Sequence, residues 1–123
     1  MITLSPLSDK EKIFRLWKEN GLTCAADCGC LEARSGETVL GYSLYTLTEN
    51  EITVYKIVTE DLSLTDGILR STLHLAAERS ITDAYYSGTE TERLCKALGF
   101  VKSDAEKTLR IEKLFESCHC GNK

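Results

Sequence analysis

Gly67 closes an acidic turn between an alternating apolar segment, Glu51–Val58 (EITVYKIV), and a helical stripe of Ile68, Leu69, Leu73, Ala76 and Ala77. Strand, turn, glycine and helix in that order aim backbone N–H groups and the positive end of a helix at an anion. Recognition of a phosphate-bearing ligand is the first chemistry this spacing offers. Sulfur chemistry is the second. The six cysteines fall as Cys24, Cys28 and Cys30, as Cys118 and Cys120 around His119, and as a lone Cys95. The two clusters together supply enough sulfur and imidazole for a zinc site, which takes about four ligands. The usual pair separated by two residues is absent, so plain reduced thiols are the competing reading. Stable disulfides are not expected in a reducing compartment. For proton transfer, Tyr55, Tyr85, Tyr86 and Glu60 stand in the right region of the chain, and each also reads as structural. His74 reads as an exposed helix residue, Lys56 as a solvated strand lysine, and Trp17 with Phe14 as core packing.

These residues must be positioned by a small body. The chain has 123 residues, 42% of them hydrophobic, with one proline and eight glycines. One domain, 1–123, with a real core is expected. A net charge of −4 disfavours nonspecific contact with a phosphate backbone, so no nucleic-acid partner is expected. No apolar run is long enough for a membrane span. No signal peptide is visible after Met1, and the expected location is cytoplasmic.

Met1–Leu4 reads as a short edge strand. Ser8 and Glu11 form a capping box for a helix with apolar Ile13, Phe14, Leu16 and Trp17. Asn20-Gly21 stops it. A three-strand meander follows at Leu31–Ser35, Thr38–Thr48 and Glu51–Val58. A helix is predicted from about Thr65 to Arg79, capped by Ser63 or Thr65. It crosses to a strand at Ile81–Ser87, parallel to Glu51–Val58. Thr89 with Glu92 has the spacing of another capping box, for a helix through Leu98. Phe100–Lys102 and Thr108–Leu114 read as the last strands.

This order resembles the GCN5-related N-acetyltransferase (GNAT) family, over roughly Cys30–Leu114. Gly67-Ile68 is similar to the middle of the family's Q/R-x-x-G-x-G/A loop, and Leu94–Phe100 (LCKALGF) to its L-Y-x-x-L-G-F segment. The resemblance implies an α/β (α+β) fold: a mixed, mostly antiparallel central sheet with a parallel, splayed strand pair. It implies acetyl-CoA in the gap, its pantetheine beside Ile57, Val58 and Thr59 and its diphosphate on Leu64–Leu69, with Asp66, Gly67, Ile68, Leu69 and Arg70 at the site. An amine from a small molecule or peptide would attack the thioester directly, and Cys95 stands where the family's proton-donating tyrosine is found. The chain departs from the pattern with Leu64 at the Gln/Arg position, Leu69 at the last Gly/Ala, Cys95 at the tyrosine and Gly88 at a common asparagine. Only Gly21–Cys30 is available for the family's second helix. Three readings follow: an acetyl-CoA-dependent N-acetyltransferase; a degenerate GNAT-fold protein that binds CoA or another protein, where a homodimer is expected; and a small metal-stabilised interaction protein.

Overall fold

The computed structural model describes residues 1–24 and 26–116. The strands are β1 (Ile2–Pro6), β2 (Cys28–Ser35), β3 (Thr38–Leu47), β4 (Glu51–Thr59), β5 (Asp83–Tyr86), β6 (Val101–Ser103) and β7 (Thr108–Leu109). The helices are α1 (Lys10–Glu19), α2 (Leu62–Ala77), α3 (Thr89–Ala97) and the short α4 (Lys113–Glu116). One seven-stranded sheet runs in the order β1-β2-β3-β4-β5-β7-β6. β4 and β5 are its parallel pair; the other neighbours are antiparallel. The expected mixed sheet is therefore present.

Side-chain alternation along the strands splits the core in two. Cys30 of β2 and Leu44 of β3 point to the face covered by Ile13 and Trp17 of α1. Their neighbours Leu31 and Tyr45 point to the other face, where Ile68, Leu69, Leu73 and Ala76 of α2 pack with Ile52, Val54 and Ile57 of β4. Trp17 is anchored at both ends, its indole N–H donating to the Gly29 carbonyl at 3.0 Å and its ring meeting Tyr55 with centroids 5.2 Å apart. Phe14, expected in this core, is 56% exposed, because its position rotates it to the outside of α1.

Two buried hydroxyls fix α2 on the sheet. Thr72 donates to the Ile68 carbonyl at 2.7 Å, which spends its one proton, so Ser43 of β3 must donate to Thr72 across 2.6 Å. Glu32, 2% exposed on the α1 face, is compensated by Lys12 at 3.0 Å and Arg34 at 3.3 Å.

Several boundaries differ from the sequence reading. Asp9, not Ser8, caps α1, its carboxylate accepting from the N–H groups of Glu11 and Lys12. α2 begins at Leu62 behind an Asp61 cap, not near Thr65. α3 has no side-chain cap; Gly88, at φ 97°, takes the cap position and Thr89 is its first residue. The strand expected over Thr108–Leu114 stops at Leu109; the Arg110 N–H makes one more bond across to the Phe100 carbonyl, and α4 follows.

Thr72→Val strands the Ser43 hydroxyl in the core and is expected to cost about 1–3 kcal/mol. Adding Ser43→Ala should return part of that loss, because no polar group is then left unpaired. A double-mutant cycle by urea unfolding checks this; a purely additive double mutant would contradict the Ser43–Thr72 hydrogen bond.

Candidate functional site

The pairing of β4 with β5 is short. Glu51, Ile52, Thr53 and Val54 oppose Asp83, Ala84, Tyr85 and Tyr86, and the Ser87 N–H makes a last bond to the Val54 carbonyl at 2.9 Å. Residues 55–59 continue on β3 alone. The cause is local. Tyr45 opposes Val54 and Leu44 opposes Lys56, so Tyr55 is an extra residue in β4, a bulge that bends the strand and sharpens its twist. Bulging also resets the alternation, which is why Val54 and Ile57, three positions apart, share the α2 face. The Tyr55 carbonyl, turned out of the ladder, accepts from the hydroxyl of buried Thr91 at 2.8 Å. α3 is thereby fastened to the point where the parallel strands part, and the edge of β4 beyond it is left without a strand neighbour.

At the far end of that edge lies the N terminus of α2. Thr59 donates to the Leu40 carbonyl at 3.0 Å and accepts from the Asp61 N–H at 3.1 Å. Asp61 then folds its carboxylate back on the helix, accepting from the Ser63 N–H at 3.0 Å and the Ser63 hydroxyl at 2.5 Å. Those bonds hold the exposed Asp61 carboxyl below its ordinary range. The helix's positive end is thus already facing a carboxylate of its own chain. With Glu60 it makes this mouth acidic, above a hollow of about 540 Å³ on the β3 side.

The predicted cofactor residues are spread by this geometry. Ile57 is buried against α2, while Val58 and Thr59 are half-buried on the free part of β4. Leu64–Leu69 is not a loop before the helix but the first two turns of α2. Gly67 sits inside the helix, and a β-carbon built there would meet only Leu4 Cδ1, at 3.8 Å. Ile68 and Leu69 are wholly buried in the core. Leu69 therefore lies under the helix rather than in a ligand's path. Asp66 and Arg70 bond each other at 2.8 Å, and the Arg70 guanidinium lies over the Phe100 ring at 5.2 Å. The capping role of Asp61, read from the sequence only as part of an acidic turn, and the anchoring role of Thr91 were not expected. Asp-x-Ser before an apolar stripe was the available signal for Asp61; a threonine on a helix gives none.

Cys95 is fully buried, and burial pushes its thiol up to about 12. Cys30 is raised equally, first by burial and then by the Glu32 charge. The Tyr86 hydroxyl is buried with no hydrogen-bond partner among the described residues. Tyr55 and Tyr85 are half-buried. Cys24 and Cys28 are brought to disulfide distance, their Cα atoms 5.6 Å apart, which corrects the expectation of unpaired thiols for this pair. Cys118, His119 and Cys120 lie outside the described residues. Among those described, no three His, Cys, Asp or Glu side chains converge as metal ligands. No helix is long and apolar enough to cross a membrane.

No family model matches the sequence, and no curated protein matches it significantly. Solved structures do match. The ribosomal-protein-alanine N-acetyltransferase of Brucella melitensis biovar Abortus 2308 superposes with a TM-score of 0.62 at 12% identity, over 85% of this chain and 94% of that one. The ribosomal-protein-S18-alanine N-acetyltransferase of Escherichia coli gives 0.58 at 11% identity, over 88% of each chain. A GNAT-family acetyltransferase of Elizabethkingia anophelis, solved with acetyl-CoA bound, gives 0.57 at 10%, over 81% of this chain and 74% of that one. The fold of this chain is that of the GNAT acetyltransferases.

Two outcomes follow from the placement of Gly67 and the thiols. Gly67→Ala is expected to stabilise the protein by up to about 1 kcal/mol, the helix propensity difference, read as a raised thermal midpoint; a loss would show that Gly67 is held for another reason. Cys30 and Cys95 should resist alkylation by iodoacetamide at pH 8 until the protein unfolds. Their folded pKa values lie above the unfolded value, so their contribution to stability is intact below about pH 9 and is lost as pH rises toward 12. Thiol-resolved mass spectrometry and unfolding across that window check both statements.

Proposed function

We propose that this chain uses the GNAT fold to hold an acyl-CoA thioester where β4 and β5 part and passes the acetyl group to an amine, from a small molecule or a peptide. The observation that carries the reading is the free edge of β4 over residues 55–59 beyond the Tyr55 bulge. An extended chain with amide groups pairs with such an edge as an added strand would, and the pantetheine arm is such a chain. The bound thioester supplies an acyl carbon open to attack by an unprotonated amine, the C–S bond breaking as the amine's proton passes to sulfur. The protein's own part is position: the bulge sets the depth of the slot, and Thr91 holds α3 beside it. Cys95 is too deeply buried to deliver a proton there.

The diphosphate half of CoA does not fit the mouth. Asp61 occupies the Ser63 N–H, Glu60 stands beside it, and Arg70 is engaged by Asp66. This acidic seat, with the buried Cys95, favours a second reading: a scaffold that binds a thioester or a protein partner without turnover.

S-acetylpantetheine is expected to raise the melting temperature about as much as acetyl-CoA does, since the mouth adds nothing for the nucleotide. Acetyl-CoA binding should tighten with added salt, because screening relieves repulsion from the mouth, and Asp61→Asn should strengthen it. Absence of any shift with both ligands at millimolar concentration would end the acyl-CoA reading. Release of free CoA thiol from acetyl-CoA, with a panel of amines, then separates catalysis from binding alone.

A further inference from the structure

The opposite end of the sheet holds a cavity of about 510 Å³, within the range of about 300–1,000 Å³ typical of small-molecule sites. Two backbone bonds build it. The Leu7 N–H donates to the Cys30 carbonyl at 2.8 Å as the chain leaves β1, and the Leu47 N–H donates to the Asp27 carbonyl at 3.0 Å. These draw the start of α1 and the Cys24–Cys28 loop together around the end of β3.

The lining is apolar with a few convergent polar groups. Leu7, Ile13, Phe14 and Leu47 form the walls. Tyr45 lies across the start of β2 so closely that a β-carbon on Gly29 would sit 2.7 Å from its ring. Tyr45 is 6% exposed, lines the cavity, and its hydroxyl makes no hydrogen bond among the described residues. Lys10 and Arg79 stand at the rim, each without an ion pair among the described residues. Asp27 is the one acid of the lining, so the groups facing the cavity carry a single excess positive charge. Burial first and Cys30 second push the Tyr45 hydroxyl up to about 12, while the Arg79 charge acts the other way.

We propose that this cavity binds a small organic monoanion with an apolar body, of the size of a medium-chain or aromatic carboxylate. The Tyr45 hydroxyl donates to its oxygen, Lys10 and Arg79 balance its charge, and the tail packs on Leu7, Ile13, Phe14 and Leu47. It is distinct from the β4–β5 slot, which lies beyond the other end of β4.

Octanoate is the probe, with octanol for the tail alone and acetate for the head alone, in calorimetry and amide NMR of the full chain. Octanoate should bind at least about tenfold more tightly than either control, the weight of one charged hydrogen bond. Its shifts should fall on Ser8–Phe14, Gly29, Leu47 and Arg79 and leave Thr59–Leu64 unmoved. Arg79→Gln and Tyr45→Phe should each weaken it several-fold. Arg79 is exposed, so its variant folds even where Tyr45→Phe does not, and Lys10→Gln gives a third reading. Equal binding of octanoate and octanol, indifference to Arg79→Gln and Lys10→Gln, shifts centred on β4 and α2, or no binding at millimolar octanoate would each overturn the proposal.

Discussion

The architecture around the candidate site depends on one extra residue in β4. With Tyr55 bulged, the strand keeps its ladder to β3 but turns away from β5, and a carbonyl is left pointing into protein rather than into a neighbour strand. A buried carbonyl without a donor costs about 1–3 kcal/mol, and Thr91 supplies that donor from α3. Removing the bulge would let β4 run on beside β5 and would leave Thr91 with nothing to hold. The slot, the placement of α3 and the switch of Ile57 onto the α2 face are thus consequences of a single register shift.

Electrostatics at the α2 N terminus work against an anionic ligand there. An N terminus with free N–H groups attracts phosphate. Here Asp61 takes the Ser63 N–H, Thr59 ties Asp61 to the end of β4, and the nearest cation on the helix, Arg70, is turned to Asp66 and Phe100. On the proposed reading, backbone geometry and charge therefore favour different halves of acyl-CoA. A free strand edge is present on β4, and the helix N terminus is filled by the chain's own carboxylate.

Much of the frame was legible because its signals were redundant. The meander carries alternating apolar residues bounded by Ser35-Gly36-Glu37 and Glu49-Asn50-Glu51, and Gly21, at φ 74°, ends α1 where Asn20-Gly21 predicted. The site was less legible because several signals competed within a few residues. Asp61, Ser63 and Thr65 are all capping types. Gly67 argued for a helix starting late, yet the buried face of Thr65, Ile68, Leu69, Thr72 and Leu73 outweighs the cost of one glycine. The bulge left no mark at all: Ile52, Val54 and Lys56 read as one face under a strict period of two, and only pairing with β3 shows that the period breaks at Tyr55.

The charge that closes one end of the molecule has a counterpart at the other. α2 is flanked by its cap Asp61 and by Arg79, whose N–H bonds the Ala76 carbonyl just past the last turn. An acid at a helix N terminus and a base at its C terminus both oppose the helix dipole, so each stabilises α2 whatever else it does. The same pair makes the β4 exit acidic and leaves a cation at the rim of the Tyr45 cavity. The same two side chains therefore bear both on helix stability and on the charge at the two proposed sites. A reversal of either charge to admit a diphosphate at the acidic end, or to repel an anion at the basic end, would act against the helix on which both sites rest.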